Sequence, residues 1–388
     1  MDFTLSEQQL AIDEGVRKVC AAFDDGYWTG CEEKLRFPEE YYEAMAEGGW
    51  LGITMPEELG GAGLGVTEAA IMMQAATSSN GGYAAASAVH LNMFGPHAIV
   101  VHGTPEQKER WLRPLIRGQQ KACFGVTEPD AGLDTTSLKT FARRTNDGYL
   151  VKGRKMWTST GQVAHKILLL TRTTPKADCR RPTDGMTLFY TDLDRSKVEV
   201  RRIHKMGRNA VDSNAVFIDD LYVPDEDRIG EEGSGFKYIL DSLNPERILV
   251  AAEAIGVGRD ALRRATGYAK ERVVFGRPIG QNQGIQHPLA ECWTALEAAW
   301  WMTMRAGWLY DSGQSCGAEA NAAKFLAGRA SFQTATQAVL THGGMGYARE
   351  YQVERLFRES ILTRIAPITE QLVLSFLAER VLGLPKSY

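Results

Sequence analysis

The hydrophobic pattern of this 388-residue chain changes period twice, and that change constrains the fold more than any other feature. Residues 1 to 120 are mainly helical in pattern, with helix-start signals at Ser6 and at Thr104. From 121 to 230, short β-rich runs alternate with Gly, Pro, Asn and Asp. From 231 to 388 the pattern is helical again. We therefore predict an α+β chain with an N-terminal helical domain (1–120), a central antiparallel β domain (121–230) and a C-terminal four-helix bundle (231–388).

The predicted strands and bundle helices follow from these runs. The strands are 148–157, 166–173, 186–193, 198–203 and 214–223, and the bundle helices are 236–272, 283–310, 318–342 and 369–381.

Composition and charge exclude several classes of function. A formal net charge of -4 gives no electrostatic support for binding nucleic acid. The six cysteines form no Cys-x-x-Cys pair and the histidines lack metal-ligand spacing, so we expect reduced thiols and no metal site. The glycine run 60–65 lacks dinucleotide-binding spacing and is predicted to be a plain loop. We see no signal peptide and no apolar run long enough to cross a bilayer, so a cytoplasmic location without membrane contact is expected.

Glu246 is the candidate catalytic residue. Ile239, Leu243, Glu246 and Val250 share one face of a predicted helix, which places a carboxylate on an apolar stripe. Burial raises the pKa of an unpaired carboxyl, and a raised pKa suits a general base near neutrality. Pro245 is expected to kink the helix beside it. The alternative is that Glu246 is neutralised by an ion pair with its neighbour in sequence or with a nearby helix.

Several other segments carry groups that suit a flat aromatic cofactor with phosphates. The loop 127–132 can present backbone N–H groups, and Trp157 stands beside two hydroxyls at the end of a strand. Arg272 and Arg277 could bind phosphates, and the glycines of 343–346 allow close backbone approach. Each feature also has a purely structural explanation. The segment 127–132 could be an ordinary loop, Trp157 could pack at the edge of a barrel, and the two arginines could cap the C-terminus of a helix.

Together these segments resemble the acyl-CoA dehydrogenase family, in order and over nearly the whole chain. The motifs are Val126-Thr127-Glu128-Pro129-x-Ala131-Gly132-x-Asp134, then Lys155-Met156-Trp157-Thr158-Ser159, then Tyr268-Ala269-x-x-Arg272-x-x-Phe275-Gly276-x-Pro278-Ile279 with Gln283. The resemblance implies FAD as cofactor, an acyl-CoA substrate, electron-transfer flavoprotein as electron acceptor, and a homo-oligomer, usually a tetramer.

The resemblance also implies roles for individual residues. Val126, Thr127, Trp157 and Ser159 would contact the flavin; Arg272, Phe275 and Gln283 would reach the FAD of a neighbouring subunit, with Gly343 and Gly344 close by; Thr369 and Gln371 would lie near its adenosine; Asn244 and Arg247 would lie near the CoA arm of the substrate.

Members of this family carry the catalytic glutamate at one of two positions. The first is in a segment usually written I-Y-E-G-T, where this chain has Pro367, which cannot act as a base. The second, used by isovaleryl-CoA and long-chain members, precedes an arginine in the first bundle helix and corresponds to Glu246. Glu370 is the fallback if the C-terminal register is shifted.

Three positions depart from the family pattern. Leu133 replaces a serine that touches substrate in many members, and Leu340 replaces a glutamine near the flavin. Pro367 also lacks the N–H that helps polarise the thioester, so Ile368 or the flavin ribityl hydroxyl would carry that task.

The function implied is α,β-dehydrogenation of an acyl-CoA to a trans-2-enoyl-CoA. Glu246 would remove the α-proton while the β-hydrogen leaves as hydride to flavin N5. The alternatives are other flavin chemistry on the same fold, namely an oxidase or removal of a β-substituent from a CoA thioester, and a flavin- or CoA-binding scaffold without turnover.

Overall fold

The computed structural model describes residues 3–93 and 95–387, and its N-terminal part is helical. Both predicted helix starts are capping boxes: Gln9 donates its backbone N–H to Ser6 Oγ at 3.2 Å, and Gln107 donates likewise to Thr104. The helices of this part are α1 (Glu7–Cys20), α2 (Asp25–Glu33), α3 (Glu39–Glu47), α4 (Val66–Ala76), α5 (Gly82–Val89), α6 (His97–His102) and α7 (Pro105–Ile116). The glycine run 60–65 is a loop that leads into α4, as predicted.

The central part is one sheet with the strand order β6-β7-β3-β2-β4-β5-β8, to which β1 is added beside β4. Its strands are β1 (Ala122–Gly125), β2 (Phe141–Arg144), β3 (Gly148–Ser159), β4 (Lys166–Arg172), β5 (Met186–Asp192), β6 (Val198–Arg202), β7 (Ser213–Pro224) and β8 (Arg228–Ile229). Most pairs are antiparallel, but β1 and β2 each pair with β4 in parallel, so the sheet is mixed. This is a correction to the purely antiparallel domain that the sequence predicts, because strands as short as β1 and β2 leave no periodic signal.

The C-terminal part consists of long helices that pack on one another. They are α8 (Gly235–Leu240), α9 (Leu243–Glu271), α10 (Gln283–Asp311), α11 (Gly317–His342), α12 (Val353–Ser360), α13 (Leu362–Ile365) and α14 (Glu370–Arg380), with a short hairpin, β9 (Val273–Val274) and β10 (Arg277–Pro278), after α9. Helices α9, α10 and α11 pack together, and α14 packs on α11. The α+β fold class with its helical, β and helical parts is confirmed.

The region around Pro245 differs from the prediction of one long kinked helix. The helix is interrupted at Asp241–Ser242, and Pro245 is the third residue of the following helix, α9. The backbone N–H groups of a first turn have no partner within the helix, so proline costs no hydrogen bond there. Glu246 therefore lies in the first turn of α9 rather than beside a kink.

The N-terminal and C-terminal helices share one hydrophobic core, in which α4 packs on α9 and α10. The close approach requires a glycine in α9: a Cβ at Gly256 would lie 1.9 Å from Thr77 Oγ1. Two smaller clusters fill the two faces of the sheet. This arrangement fixes the first turn of α9 relative to α5 and the sheet.

One stretch, Val353–Arg380, has the length and apolar composition of a membrane-crossing helix, which corrects the expectation that no run qualifies. The structure divides this stretch among three helices, with Pro367 between the last two. Length and composition alone are therefore weak evidence for a membrane span here.

Candidate active site

Glu246, in the first turn of α9, has no hydrogen-bond or ion-pair partner among the described residues. Its side chain is partly accessible, and within the described residues it accepts no hydrogen bond and forms no ion pair within 4 Å. Burial raises the pKa of Glu246 to about 7, the nearby Arg247 charge opposes this rise, and Glu253 adds to it. Arg247 instead donates to Asn244 Oδ1 at 3.2 Å, and its buried Nε has no hydrogen-bond partner in the part of the chain that the structure describes. The direct Glu246–Arg247 ion pair considered from the sequence is not formed.

Glu370, the fallback base, has a different environment. Its carboxylate is buried and accepts from Arg364 Nε at 2.6 Å and from Arg329 Nε at 3.3 Å. These arginines hold the pKa of Glu370 below its usual value. Nearby, Lys324 Nζ donates to the carbonyl of Ile368, the residue after Pro367. Glu370 is therefore committed to ion pairs at the start of α14.

The loop that carries Val126 and Thr127 is fastened to β3 by a buried ion pair. Lys155 Nζ donates to Glu128 Oε1 at 2.9 Å and to the Val126 carbonyl at 3.1 Å. Met156 N–H donates to the Thr127 carbonyl at 2.8 Å. Because these contacts join the loop to the strand, the first two sequence motifs form one surface.

Trp157 projects from this surface because β3 carries a bulge. The register against β7 shifts between Lys155 and Thr158, and Trp157 adopts a φ of +62°. A bulge re-aims side chains, and here it leaves the indole 57% exposed. Ser159, two residues on, is partly exposed. An open aromatic ring beside a hydroxyl suits a planar heterocycle.

Among the described residues, the other predicted site residues form no hydrogen bond or ion pair with this surface. Phe275, at the tip of the β9–β10 hairpin, is fully exposed. Arg272 and Gln283 are also exposed. Gly343 and Gly344 have no atom within 4 Å of a Cβ built on them. Thr369 caps α14 by accepting from Leu372 N–H at 3.3 Å, and Gln371 is exposed. The predicted site residues thus fall into two groups that share no hydrogen bond or ion pair among the described residues.

The structure adds polar groups near the site that the sequence does not indicate. The Arg208 guanidinium donates to Ser159, to Ser87 on α5 and to Ser213. His90, just after α5, lies 2.8 Å from Glu253, which is two turns after Glu246 on α9. Ser87 on α5 therefore shares Arg208 with Ser159, and His90, just after α5, contacts the helix that carries Glu246. Partners so far apart in the chain leave no local pattern.

Comparison with known proteins decides the family. Models of the acyl-CoA dehydrogenase family match the chain in succession: the N-terminal domain over residues 6–119, the middle domain over 123–221 and the C-terminal domain over 233–382. This chain belongs to the acyl-CoA dehydrogenase family. It is 35% identical to acyl-CoA dehydrogenase FadE12 of Mycobacterium tuberculosis over 399 residues, covering 100% of this chain and 99% of that protein.

Proteins named for other activities are nearly as similar. The caffeyl-CoA reductase-Etf complex subunit CarC of Acetobacterium woodii is 34% identical, covering 88% of this chain and 89% of CarC. The structure of butyryl-CoA dehydrogenase from Megasphaera elsdenii superposes with a TM-score of 0.92 at 28% identity, covering 98% of this chain and 100% of that one. PigA with FAD and proline superposes at 0.93 and 25% identity, covering 99% and 100%. Proteins similar to this chain thus carry names of more than one activity.

FAD is the cofactor of this acyl-CoA dehydrogenase family member, and the residues fit it. Trp157 offers an open ring face, and the backbone at Gly343 and Gly344 leaves space that a side chain would fill. Ser159 accepts from Arg208 and has no acceptor for its own proton among the described residues. Within the same residues, no group of three or more His, Cys, Asp and Glu side chains could hold a metal ion.

Proposed function

We propose that this flavoprotein dehydrogenates an acyl-CoA thioester between its α and β carbons, with Glu246 as the base. The observation that supports the proposal is the environment of Glu246: unpaired, recessed, and with a pKa of about 7. A general base works best when its pKa lies near the working pH. The other family position holds Pro367, and the neighbouring Glu370 is tied to two arginines.

Each residue has a defined task in this proposal. Glu246 takes the α-proton, and at pH 7 about half of its population is ionised and ready to do so. Bound FAD supplies the acceptor for the β-hydrogen, which leaves as hydride. Trp157 and Ser159 orient the flavin. Arg247, whose Nε has no partner, and Asn244 would bind the CoA arm beside the base.

We also propose two kinds of protein partner. CarC is named as part of a complex with Etf, which supports electron-transfer flavoprotein as the electron acceptor here. The second is another copy of this chain, because large apolar side chains stand exposed around the predicted FAD-binding residues. These side chains include Phe275 at 101% exposure, Tyr347 at 90% and Leu340 at 66%. A homo-oligomer would cover them and bring the two separate groups of site residues together.

An anaerobic titration tests the proposed activity. Purified protein is mixed with a panel of acyl-CoAs, the loss of oxidised-flavin absorbance is followed, and the product is identified by mass spectrometry. We expect bleaching with at least one acyl-CoA and a product lighter by two hydrogens. A colourless protein that does not bind added FAD would contradict the proposal and favour a scaffold. Rapid re-oxidation by oxygen would favour an oxidase, and loss of a β-substituent would identify the remaining alternative.

A further inference from the structure

Arg208 lies between β6 and β7 and holds three serines from three different elements. Its Nη1 donates to Ser87 Oγ on α5 at 2.8 Å, and its Nη2 donates to Ser213 Oγ on β7 at 2.8 Å and to Ser159 Oγ on β3 at 3.1 Å. The residue itself adopts a φ of +59°, and Lys205 Nζ holds the turn by donating to the Val211 carbonyl at 2.8 Å. The guanidinium is therefore fixed in position directly behind Ser159.

The charge of Arg208 is not cancelled by a carboxylate in contact with it. Among the described residues, no carboxylate oxygen lies within 4 Å of its guanidinium, although four acidic groups lie in the surroundings. Each of these groups has partners of its own. Glu359 pairs with Arg355, Glu253 with His90, Glu32 with Asn209 and Arg358, and Asp212 accepts from Gln162 and Asn214. Glu359 reaches only the backbone N–H of Arg208, at 3.3 Å.

This arrangement determines what the Ser159 hydroxyl can do. Arginine has no acceptor and stays protonated, so Ser159 must accept in that hydrogen bond. A serine hydroxyl has a single proton, and within the described residues nothing accepts the proton of Ser159. Because Ser159 is partly exposed, two residues from the exposed Trp157, that proton is available to an acceptor on the flavin that is expected there.

We propose that Arg208 is a positioning residue that fixes Ser159 as a donor to the flavin and raises the reduction potential of bound FAD. A fixed donor backed by a positive charge favours whichever state of the ring carries more negative charge, and that is the reduced state. The inference rests on the proposed function, because it needs Ser159 at the flavin. The inference concerns the reduction potential of the bound FAD, whereas the proposed role of Glu246 concerns removal of the substrate's α-proton.

The test measures the midpoint potential of the flavin in the FAD-loaded protein by anaerobic equilibration with a reference dye. The variants are Arg208→Gln, Arg208→Lys, Ser159→Ala and the double variant R208Q/S159A. The control is Arg154→Gln, which removes an exposed arginine from the same strand as Ser159. FAD content and far-ultraviolet circular dichroism are recorded for each protein.

We expect Arg208→Gln to lower the equilibrium constant for flavin reduction at least about tenfold, which is about 30 mV for a two-electron couple. Arg208→Lys keeps the charge, but its donors sit on one nitrogen and cannot reproduce the two-nitrogen fork that spans the serines, so it should fall between wild type and Arg208→Gln. Ser159→Ala should also lower the potential. The double variant should lose less than the sum of the two single losses, because the two residues act together. Arg154→Gln should match wild type.

Two results would overturn the inference while leaving the proposed function intact. One is a potential for Arg208→Gln equal to wild type at full FAD content. The other result applies if Arg208→Gln does not fold. In that case the inference is overturned when Arg208→Lys and Ser159→Ala both have the wild-type midpoint potential. A wild-type protein that binds no FAD would instead refute the proposed function itself.

Discussion

Replacing Glu246 by glutamine removes the proposed base and keeps the shape of the side chain. We expect flavin reduction by acyl-CoA to slow at least about a hundredfold, the low end for loss of a general base. The wild-type rate should also depend on pH. With a pKa of about 7, about one tenth of Glu246 is ionised at pH 6 and about nine tenths at pH 8, so the rate should rise across this range.

The same substitution should stabilise the protein at neutral and alkaline pH. The pKa of Glu246 is raised from 4.5 to about 7 in the folded state, and each pKa unit corresponds to about 1.4 kcal/mol. Ionised Glu246 therefore costs the folded state up to about 3 kcal/mol. Between these two pKa values the folded state binds more protons than the unfolded state, so the wild-type free energy of unfolding falls as pH rises. Glutamine removes this cost, and its advantage should vanish below about pH 4.5.

Two measurements with one control separate catalysis from folding. Stopped-flow bleaching of the flavin at pH 6, 7 and 8 gives the rate, and urea unfolding at pH 5 and pH 8 gives stability. Glu370→Gln is the matched control: it should keep the rate but lose about 1–3 kcal/mol, because Arg364 and Arg329 lose a carboxylate. The reasoning would be refuted if Glu246→Gln reacted at the wild-type rate while Glu370→Gln did not react, or if the wild-type rate were independent of pH.

Three further predictions concern the cofactor surface and assembly. Lys155→Met leaves buried Glu128 without its cation, so urea unfolding should show a loss of about 3–5 kcal/mol, together with faster release of FAD. Trp157→Ala should change stability by less than about 0.5 kcal/mol because the indole is largely exposed, yet weaken FAD binding in a fluorescence titration; equal affinity would contradict its role. Phe275→Asp should lower the molar mass measured by light scattering, and an unchanged mass would place the subunit contact elsewhere.

Local pattern predicts the regular elements of this fold well and the short or broken ones poorly. The predicted strands end within two residues of β3 to β7, because β-rich runs and turn residues alternate sharply there. The four-residue strands β1 and β2 are not predicted, because their pairing with β4 is a long-range event. The prediction of a helix kinked at Pro245 is wrong, because a new helix, α9, begins just before this residue. The sequence alone does not distinguish a proline in the first turn of a helix from one in its interior.

The candidate site follows the same division between local and long-range information. Helix periodicity places Glu246 on an apolar face, since that depends only on neighbours along one helix. The Arg208–Ser87 contact joins residues 121 apart in the chain, and the His90–Glu253 contact joins residues 163 apart. Such pairs form only after α5, α9 and the sheet have packed. The contacts of Arg208 and His90 therefore cannot be predicted from motif or periodicity, whereas the position of Glu246 on an apolar helix face can.

Partners, rather than residue type, distinguish three of the glutamates in the C-terminal helices: Glu246, Glu253 and Glu370. Glu370 contacts two arginines, and its pKa falls; Glu253 lies 2.8 Å from His90. Glu246 has no partner within residues 3–93 and 95–387, and its pKa rises to about 7. A buried carboxylate without a partner is a cost that folding alone gives no reason to keep. Glu253 adds to that cost from two turns away, since its own negative charge disfavours ionisation of Glu246. Of these three, Glu246 alone has a pKa near 7, whereas Glu253 and Glu370 are bound to partners, and the proposed proton-abstracting role of Glu246 would account for this difference.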